Sequence, residues 1–300
     1  MMRIGLKVDV DTLRGTLQGV PELVRLFQRH QVHATFLFSV GPDHTGRALR
    51  RMLHPGFYRK VRRTSVIKHY GFKTLLYGTL LPGPDIGRRG IEAMRLAARA
   101  GHELGIHCFD HVKWQDFVVR RDAQWTQVEM ERATIAFQRV FGDAARVHGA
   151  AGWQINEHTL ALEQSMGFDY ASDTRGHTPF LPELNGSRSR CPQLPTTLPT
   201  LDELIGIADI NTDNVHQHIL SASRRPAEHG HIYTLHAELE GMQLLPVMDR
   251  LLNGWRLAGY SIGPMRSIFE QLDLDRLAVQ RIVQREVPGR SGNLAVQMDR

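Results

Sequence analysis

Cysteine is almost absent from this chain: Cys108 and Cys191 are the only two in 300 residues. Two thiols build neither a disulfide framework nor a zinc-finger spacing, a usage that fits a reducing compartment. No run of 18 or more apolar residues occurs, so no membrane-crossing helix is expected. Met1 leads straight into a strand-like run, without a basic region followed by an apolar one, and no secretory signal is expected. Internal repeats and low-complexity runs are also missing. Acidic residues are lacking altogether between Asp43 and Asp85.

That last gap has a counterpart. It holds nine positive charges, at Arg47, Arg50, Arg51, Arg59, Lys60, Arg62, Arg63, Lys68 and Lys73, within a chain of net +6, so the remainder carries −3. Aromatic and aliphatic residues alternate with them, among them Phe57, Tyr58, Tyr70, Phe72, Leu80 and Leu81. Residues 44–84 therefore predict an insertion that meets an anionic membrane surface through charge and apolar anchors together. A basic stretch also suits nucleic acid, or simply a solvated face. The apolar half of the pattern favours lipid, and no nucleic-acid partner is expected.

Outside the window, strand-like and helix-like segments alternate. Strands are predicted at the start of the chain and over residues 34–40, 102–107, 146–150, 169–172, 232–236 and 260–262. Helices are predicted over 20–31, 86–100, 122–141, 157–166, 200–207, 212–223 and 244–258, with a short one ending near Leu272. Pro21 sits early in its helix, where the missing N–H is harmless, and Asp122 and Gly142 bracket the longest one. Residues 176–193 read as a loop. The tail, 273–300, reads as a weak helix followed by disorder. Such alternation argues for parallel strands with helices outside, seven or eight units that fit a barrel, complete or incomplete. The domain organisation expected is a body over 1–272 carrying the insertion, then the tail.

What the chain does have is a set of chemistry-bearing residues at predicted strand ends. The run Val8-Asp9-Val10-Asp11 puts two carboxylates on one face by the two-residue period of a strand. They repel unless something positive sits between them. His107 and His111 follow the apolar run Leu104-Gly105-Ile106, and with Asp11 they make a two-histidine, one-carboxylate metal site with open positions. Asp9 is left over as a base. The bland readings are that the acids cap a turn, and that sixteen histidines produce chance pairs. Cys108 is expected to point away from the ligands. Asp110 suits either an acceptor for a ligand histidine N–H or a solvated acid. His236 ends another strand and suits an acid that protonates a leaving amine, with Glu238 or Glu240 orienting it. Asp173 either holds a histidine in its protonated form or caps its loop.

In order and separation these motifs resemble the polysaccharide deacetylase family, the NodB-homology domains, over residues 3–270. The resemblance implies an α/β fold, a distorted seven-stranded (β/α) barrel, and metal-dependent N-deacylation of amino sugars. It implies Asp9 as base, Asp11, His107 and His111 as metal ligands, and His236 as acid. The metal implied is a divalent ion: zinc, cobalt, manganese or iron. The family carries an arginine in its third motif that pairs with the base; here that region reads Ala150-Ala151-Gly152-Trp153-Gln154, without one. Ala-Ala-Gly-Trp, Ser-Asp-x-Arg-Gly and His-Ala-Glu-x-Glu-Gly resemble one subfamily, the 4-deoxy-4-formamido-L-arabinose-phosphoundecaprenol deformylases. Gln154 stands where that subfamily carries arginine. This narrower resemblance implies Trp153, Asp173 and Glu238 as residues around the substrate. It further implies a lipid-linked amino sugar substrate, the cytoplasmic face of the bacterial inner membrane, and a role in lipid A modification and polymyxin resistance. Alternatives are N-deacetylation of another amino sugar or polysaccharide, disfavoured by the missing export signal, and a non-catalytic module that binds lipid-linked sugar. A non-haem iron oxygenase would share the ligand types but not the strand–helix alternation.

Overall fold

The structure is a computed structural model that describes residues 2–48 and 74–298. The fold is organised around β1 (Arg3–Val10), a strand buried on both faces from Ile4 onward. Burial on both faces is what a central parallel strand requires, and its aliphatic run supplies it. β1 pairs on three sides of its length. Lys7–Val10 lie against β2 (Thr35–Ser39), and Arg3–Leu6 against β9 (Ser261–Pro264). The opposite edge pairs with β8 (His231–His236). β3 (Glu103–Cys108), β4 (Val147–His148) and β5 (Tyr170–Ala171) continue outward from β2.

All of these pairings are parallel, so seven strands form one curled sheet, an incomplete barrel. β5 and β8 do not pair directly. Between them runs an irregular segment: Leu194 donates its N–H to Ala171, and Thr197 donates to Ile232. The predicted (β/α) architecture is therefore the one observed. Helices cover the outside. Val20–His30 opens with Pro21 in its first turn and buries Leu23, Val24, Leu26 and Phe27. Ala123–Phe141 is capped by Asp122 and closed by Gly142 at φ 87°. The helix expected over 86–100 is broken at Gly90 (φ −95°, ψ 2°) into Ile86–Arg89 and Ile91–Arg99, and Gly90 packs against Thr16, where a Cβ would lie 2.5 Å from Cγ2.

Two regions depart from expectation. The loop expected over 176–193 contains β6 (Leu181–Leu184) and β7 (Ser187–Arg188), an antiparallel hairpin. Its turn is Asn185-Gly186, both at positive φ (51° and 81°), the conformation that dipeptide favours. The tail expected to be a weak helix and disorder is instead β10 (Val279–Glu286) and β11 (Asn293–Gln297). β10 runs parallel to β6 and antiparallel to β11, giving a second, four-stranded sheet. Ile282, Leu294 and Ala295 are buried, which anchors the tail to the body. The helix expected over 200–207 shortens to Leu201–Leu204, and that over 212–223 begins at Val215. Of the basic charges in the insertion, only Arg47 falls within the described residues; Arg50, Arg51, Arg59, Lys60, Arg62, Arg63, Lys68 and Lys73 lie outside them. No helix among the described residues is long and apolar enough to cross a membrane.

Candidate active site

The carboxyl ends of the parallel strands gather the residues that the sequence singled out. Asp9 lies on β1 directly opposite His236 on β8, and Asp11 follows just past the end of β1. His107 ends β3. His111 opens the helix His111–Phe117, so the four-residue spacing spans a strand-to-helix turn rather than one helical turn, with the rings 5.3 Å apart. His107 Nε2 lies 3.3 Å and His111 Nε2 lies 3.4 Å from the same oxygen, Asp11 Oδ1. That oxygen is buried and has no hydrogen-bond partner. An unpartnered carboxylate oxygen faced by two imidazole nitrogens is a donor set that fits a divalent first-row metal with open positions. Burial alone would raise the Asp11 pKa. His111, His107 and His236 outweigh it and hold the carboxyl below the usual carboxylate range.

His107 is oriented from behind. His107 Nδ1 donates to the Gly149 carbonyl at 2.6 Å, which leaves the Nε2 lone pair for Asp11's side of the site. Gly149 is fixed in turn by its neighbours. Asp173 accepts from the Ala150 N–H at 2.6 Å and meets His148 Nδ1 at 3.1 Å, while Glu163 meets the same nitrogen at 2.7 Å. Burial disfavours charge on His148, but Asp173 and Glu163 overcome it and raise its pKa to about 10. Burial raises Glu163 well above its ordinary value, and Asp173 adds to this. Burial pushes Asp173 the same way, but His148 overrides it and holds the group low. The outcome is a charged His148–Asp173 pair, with burial pushing Glu163 toward its protonated form. His148, Glu163 and Asp173 come close enough together to suggest a second metal group. There, however, the facing oxygens and nitrogen already satisfy one another. Asp173 thus does hold a histidine protonated, but that histidine is His148, not His236.

Asp9 is 3 % exposed and its two oxygens differ. Oδ2 lies 3.7 Å from Lys7 Nζ. Oδ1 lies 3.9 Å from His107 Nδ1 and is buried without a hydrogen-bond partner. The His236 ring stands edge-on to Trp153, 6.5 Å between centroids, and its Nδ1 is also buried and unpartnered.

The order of these residues and the strand ends that carry them match a known family, and residues 8–171 fit its model, described as polysaccharide deacetylase. The chain belongs to the polysaccharide deacetylase family. It is a hydrolase of carbon–nitrogen amide bonds. A probable 4-deoxy-4-formamido-L-arabinose-phosphoundecaprenol deformylase, ArnD, of Shewanella sediminis is 36 % identical over 98 % of this chain and 94 % of its own length. The protein of the same description from Wigglesworthia glossinidia brevipalpis is 30 % identical, over 94 % of this chain and 98 % of its own. Among solved structures, a putative polysaccharide deacetylase from Mycobacterium smegmatis superposes with a TM-score of 0.60 at 16 % identity, covering 95 % of this chain and 96 % of that one. A probable polysaccharide deacetylase from Pseudomonas aeruginosa PAO1 gives 0.59 at 15 % identity, covering 90 % of each. At these identities the two structures speak for the fold alone.

Within this family frame, several neighbours behave differently from expectation. Neither Glu238 nor Glu240 bonds the His236 ring. The strand ends at His236 and the chain turns back, with Glu240 N–H donating to the His236 carbonyl, so the two-residue alternation stops there. Glu238 Oε1 instead accepts from the Asp11 N–H (3.1 Å), the Thr12 N–H (2.8 Å) and the Thr12 hydroxyl (2.8 Å), fixing the loop that carries Asp11. Burial, with Asp11 adding to it, raises Glu238 well above the usual range. Glu240 accepts the His236 backbone N–H, and burial lifts its pKa to about 7 against the pull of His236. Asp110 is neither of the two things expected of it. It is buried, caps the helix of His111 by accepting from the Lys113 N–H, and meets His44 Nδ1 at 2.6 Å. Cys108 is buried against Ser39, away from the ligands as expected.

Three residues were not singled out from the sequence. Lys7 is fully buried beside Asp9; the only hint was a lysine in an otherwise apolar run. His148 carried no signal beyond its type. Arg290, from the tail, stands 4.7 Å over the Trp153 ring while bonding Glu203, and Arg175 stands 5.3 Å from the same ring. Gln154 is explained by the tail as well: its amide donates to the Asn293 carbonyl at 2.6 Å, tying β11 to the Ala-Ala-Gly-Trp turn.

Proposed function

We propose that this chain removes the formyl group from 4-deoxy-4-formamido-L-arabinose carried on undecaprenyl phosphate, at the cytoplasmic face of the bacterial inner membrane. The reaction would serve the aminoarabinose modification of lipid A and resistance to polymyxin and other cationic peptides. The observation that carries this reading is the convergence of Asp9, Asp11, His107, His111 and His236 at one end of the barrel. Identity to the two probable deformylases over nearly their whole length supports the substrate.

Asp11, His107 and His111 would hold the metal, with zinc, cobalt, manganese or iron suited to such ligands. A divalent ion there supplies Lewis-acid polarisation of the formyl carbonyl and makes water a better nucleophile. Asp9 takes the proton of the attacking water on Oδ1, the oxygen that accepts no hydrogen bond from the protein. His107 keeps its proton on Nδ1, toward Gly149, throughout. The C–N bond breaks, formate leaves, and His236 gives its proton to the sugar amine. Trp153, packed edge-on to His236, forms the wall against which the sugar would lie. The apolar side chains of Leu80 (81 % exposed) and Leu81 (37 % exposed), at the described edge of the insertion, suit a membrane surface beside the site.

The test is formate and amine release from the formamido-arabinose lipid phosphate, with and without chelator, by wild type and Asp9→Ala. Turnover should stop with chelator and drop by roughly 10²–10⁴-fold in Asp9→Ala, the usual range for a general base. No turnover by metal-loaded wild type would reject the substrate and bring other N-acyl sugars forward.

A further inference from the structure

Lys7, Asp9 and Asp11 share one face of β1 by the two-residue period of a strand. A lysine with 0 % exposure is expensive unless its charge is matched, because an ammonium removed from water loses its hydration. Lys7 Nζ donates to the Ser172 carbonyl at 2.7 Å, a neutral partner. Burial, helped by Arg175, lowers the Lys7 pKa, and two carboxylates, Asp9 and Asp173, act against that to favour its charge. Asp173 already serves the Ala150 N–H, His148 and the Gln193 amide. The oxygen left to balance the ammonium is Asp9 Oδ2, at 3.7 Å.

The segment that lacks the family's arginine closes over this lysine. The Trp153 ring lies 5.4 Å from Nζ, and a Cβ placed on Gly149 would come within 3.3 Å of Lys7 Cε. The lysine stem therefore fills the space between Gly149, Trp153 and Asp9.

We propose that Lys7 is a positioning residue for Asp9, delivering from the same strand the positive charge that residues 150–154 do not provide. It anchors Oδ2 and so turns Oδ1, the unpartnered oxygen, toward the metal ligands. This inference rests on Asp9 being the base, and its test keeps the two readings apart.

The first arm is a double-mutant cycle on the melting temperature of metal-free protein, with Lys7→Met, Asp9→Asn and their combination. Lys7→Met should lower Tm by about 5 °C when Asp9 is present and by no more than about 2 °C in the Asp9→Asn background. Equal losses in both would overturn the proposal, since the lysine would then serve only Ser172 and packing. If Lys7→Met alone does not fold, recovery of folded protein in the double variant supports the pairing, and failure of both overturns it. The second arm is turnover, by metal-loaded enzyme, of the formamido sugar and of 4-nitrophenyl acetate, an activated ester. Lys7→Met should lose roughly 10²-fold in kcat with KM and metal content unchanged, and Lys7→Arg should recover to within about tenfold of wild type. A folded Lys7→Met with wild-type kcat overturns the role. Wild type that hydrolyses the ester but not the sugar, with Lys7→Met losing the ester activity, keeps the lysine's role and rejects the substrate.

Discussion

The site depends on residues that never meet the substrate, and His148 is the clearest of them. It is buried, charged, and bound to Asp173, whose carboxylate also holds the Ala150 N–H next to the carbonyl that orients His107. Its pKa is raised from an ordinary 6.5 to about 10. A raised histidine pKa contributes stability that is whole below 6.5 and is lost as pH climbs through about 10. The slope across that window is at most about 1.4 kcal/mol per pH unit. His148→Gln should therefore be less stable than wild type at pH 6, with the gap narrowing as pH approaches 10. Urea melts of metal-free protein at pH 6, 8 and 10 measure this. A gap that stays constant would mean that His148 is not charged in the folded protein. Because the Gly149 carbonyl would also shift, the same variant should bind metal more weakly by about 10-fold or more.

At the scale of elements, the C-terminal strands contribute more than their composition suggests. Leu294 is 3 % exposed on β11, whose backbone accepts from the Arg175 N–H through Ala295 and from the Gln154 side chain through Asn293. Leu294→Ala should cost about 2–4 kcal/mol, as large-to-small core changes do, and a denaturant melt reads it directly. A cost under about 0.5 kcal/mol would mean the hairpin is not part of the folding unit. The sequence hid this hairpin for a physical reason. β1, β2, β3 and β8 are mostly buried strands rich in apolar residues, and such runs are legible without their partners. β10 shows the solvent Arg281, Arg285 and Glu286; it pairs with β11 across a polar connection and with β6, about a hundred residues earlier in the chain. Its polar face and polar connection are what made it read as a tail. Lys7 was obscured as well, since its burial makes sense only once Ser172 and Asp9 are beside it. Asp11, His107 and His111, by contrast, lie at or shortly after the ends of legible strands, so their coming together could be read directly.

For the whole molecule, the decisive asymmetry is charge. Nine cations sit between Asp43 and Asp85 in a chain of net +6. The stem of that insertion is joined at its base, with the Asp43 N–H donating to Pro84 and the Gly46 N–H to Tyr77. The same stem touches the site. Asp43 accepts the Leu13 N–H just past Asp11, and His44 meets Asp110 between the two ligand histidines. The described stem of the insertion thus packs beside the Asp11 loop and the helix that His111 opens. Each basic residue near an anionic bilayer contributes about 1 kcal/mol. Replacing Arg62 and Arg63 with serine should then weaken binding to phosphatidylglycerol vesicles by about 2 kcal/mol, roughly thirtyfold. Wild-type binding should decline steeply as salt rises, because the Debye length contracts from about 10 Å at 0.1 M to about 3 Å at 1 M. Vesicle co-sedimentation across a salt series reads both effects. Equal binding to phosphatidylcholine vesicles, or binding indifferent to salt and to the two arginines, would remove the charge argument and leave the exposed leucines as the membrane contact.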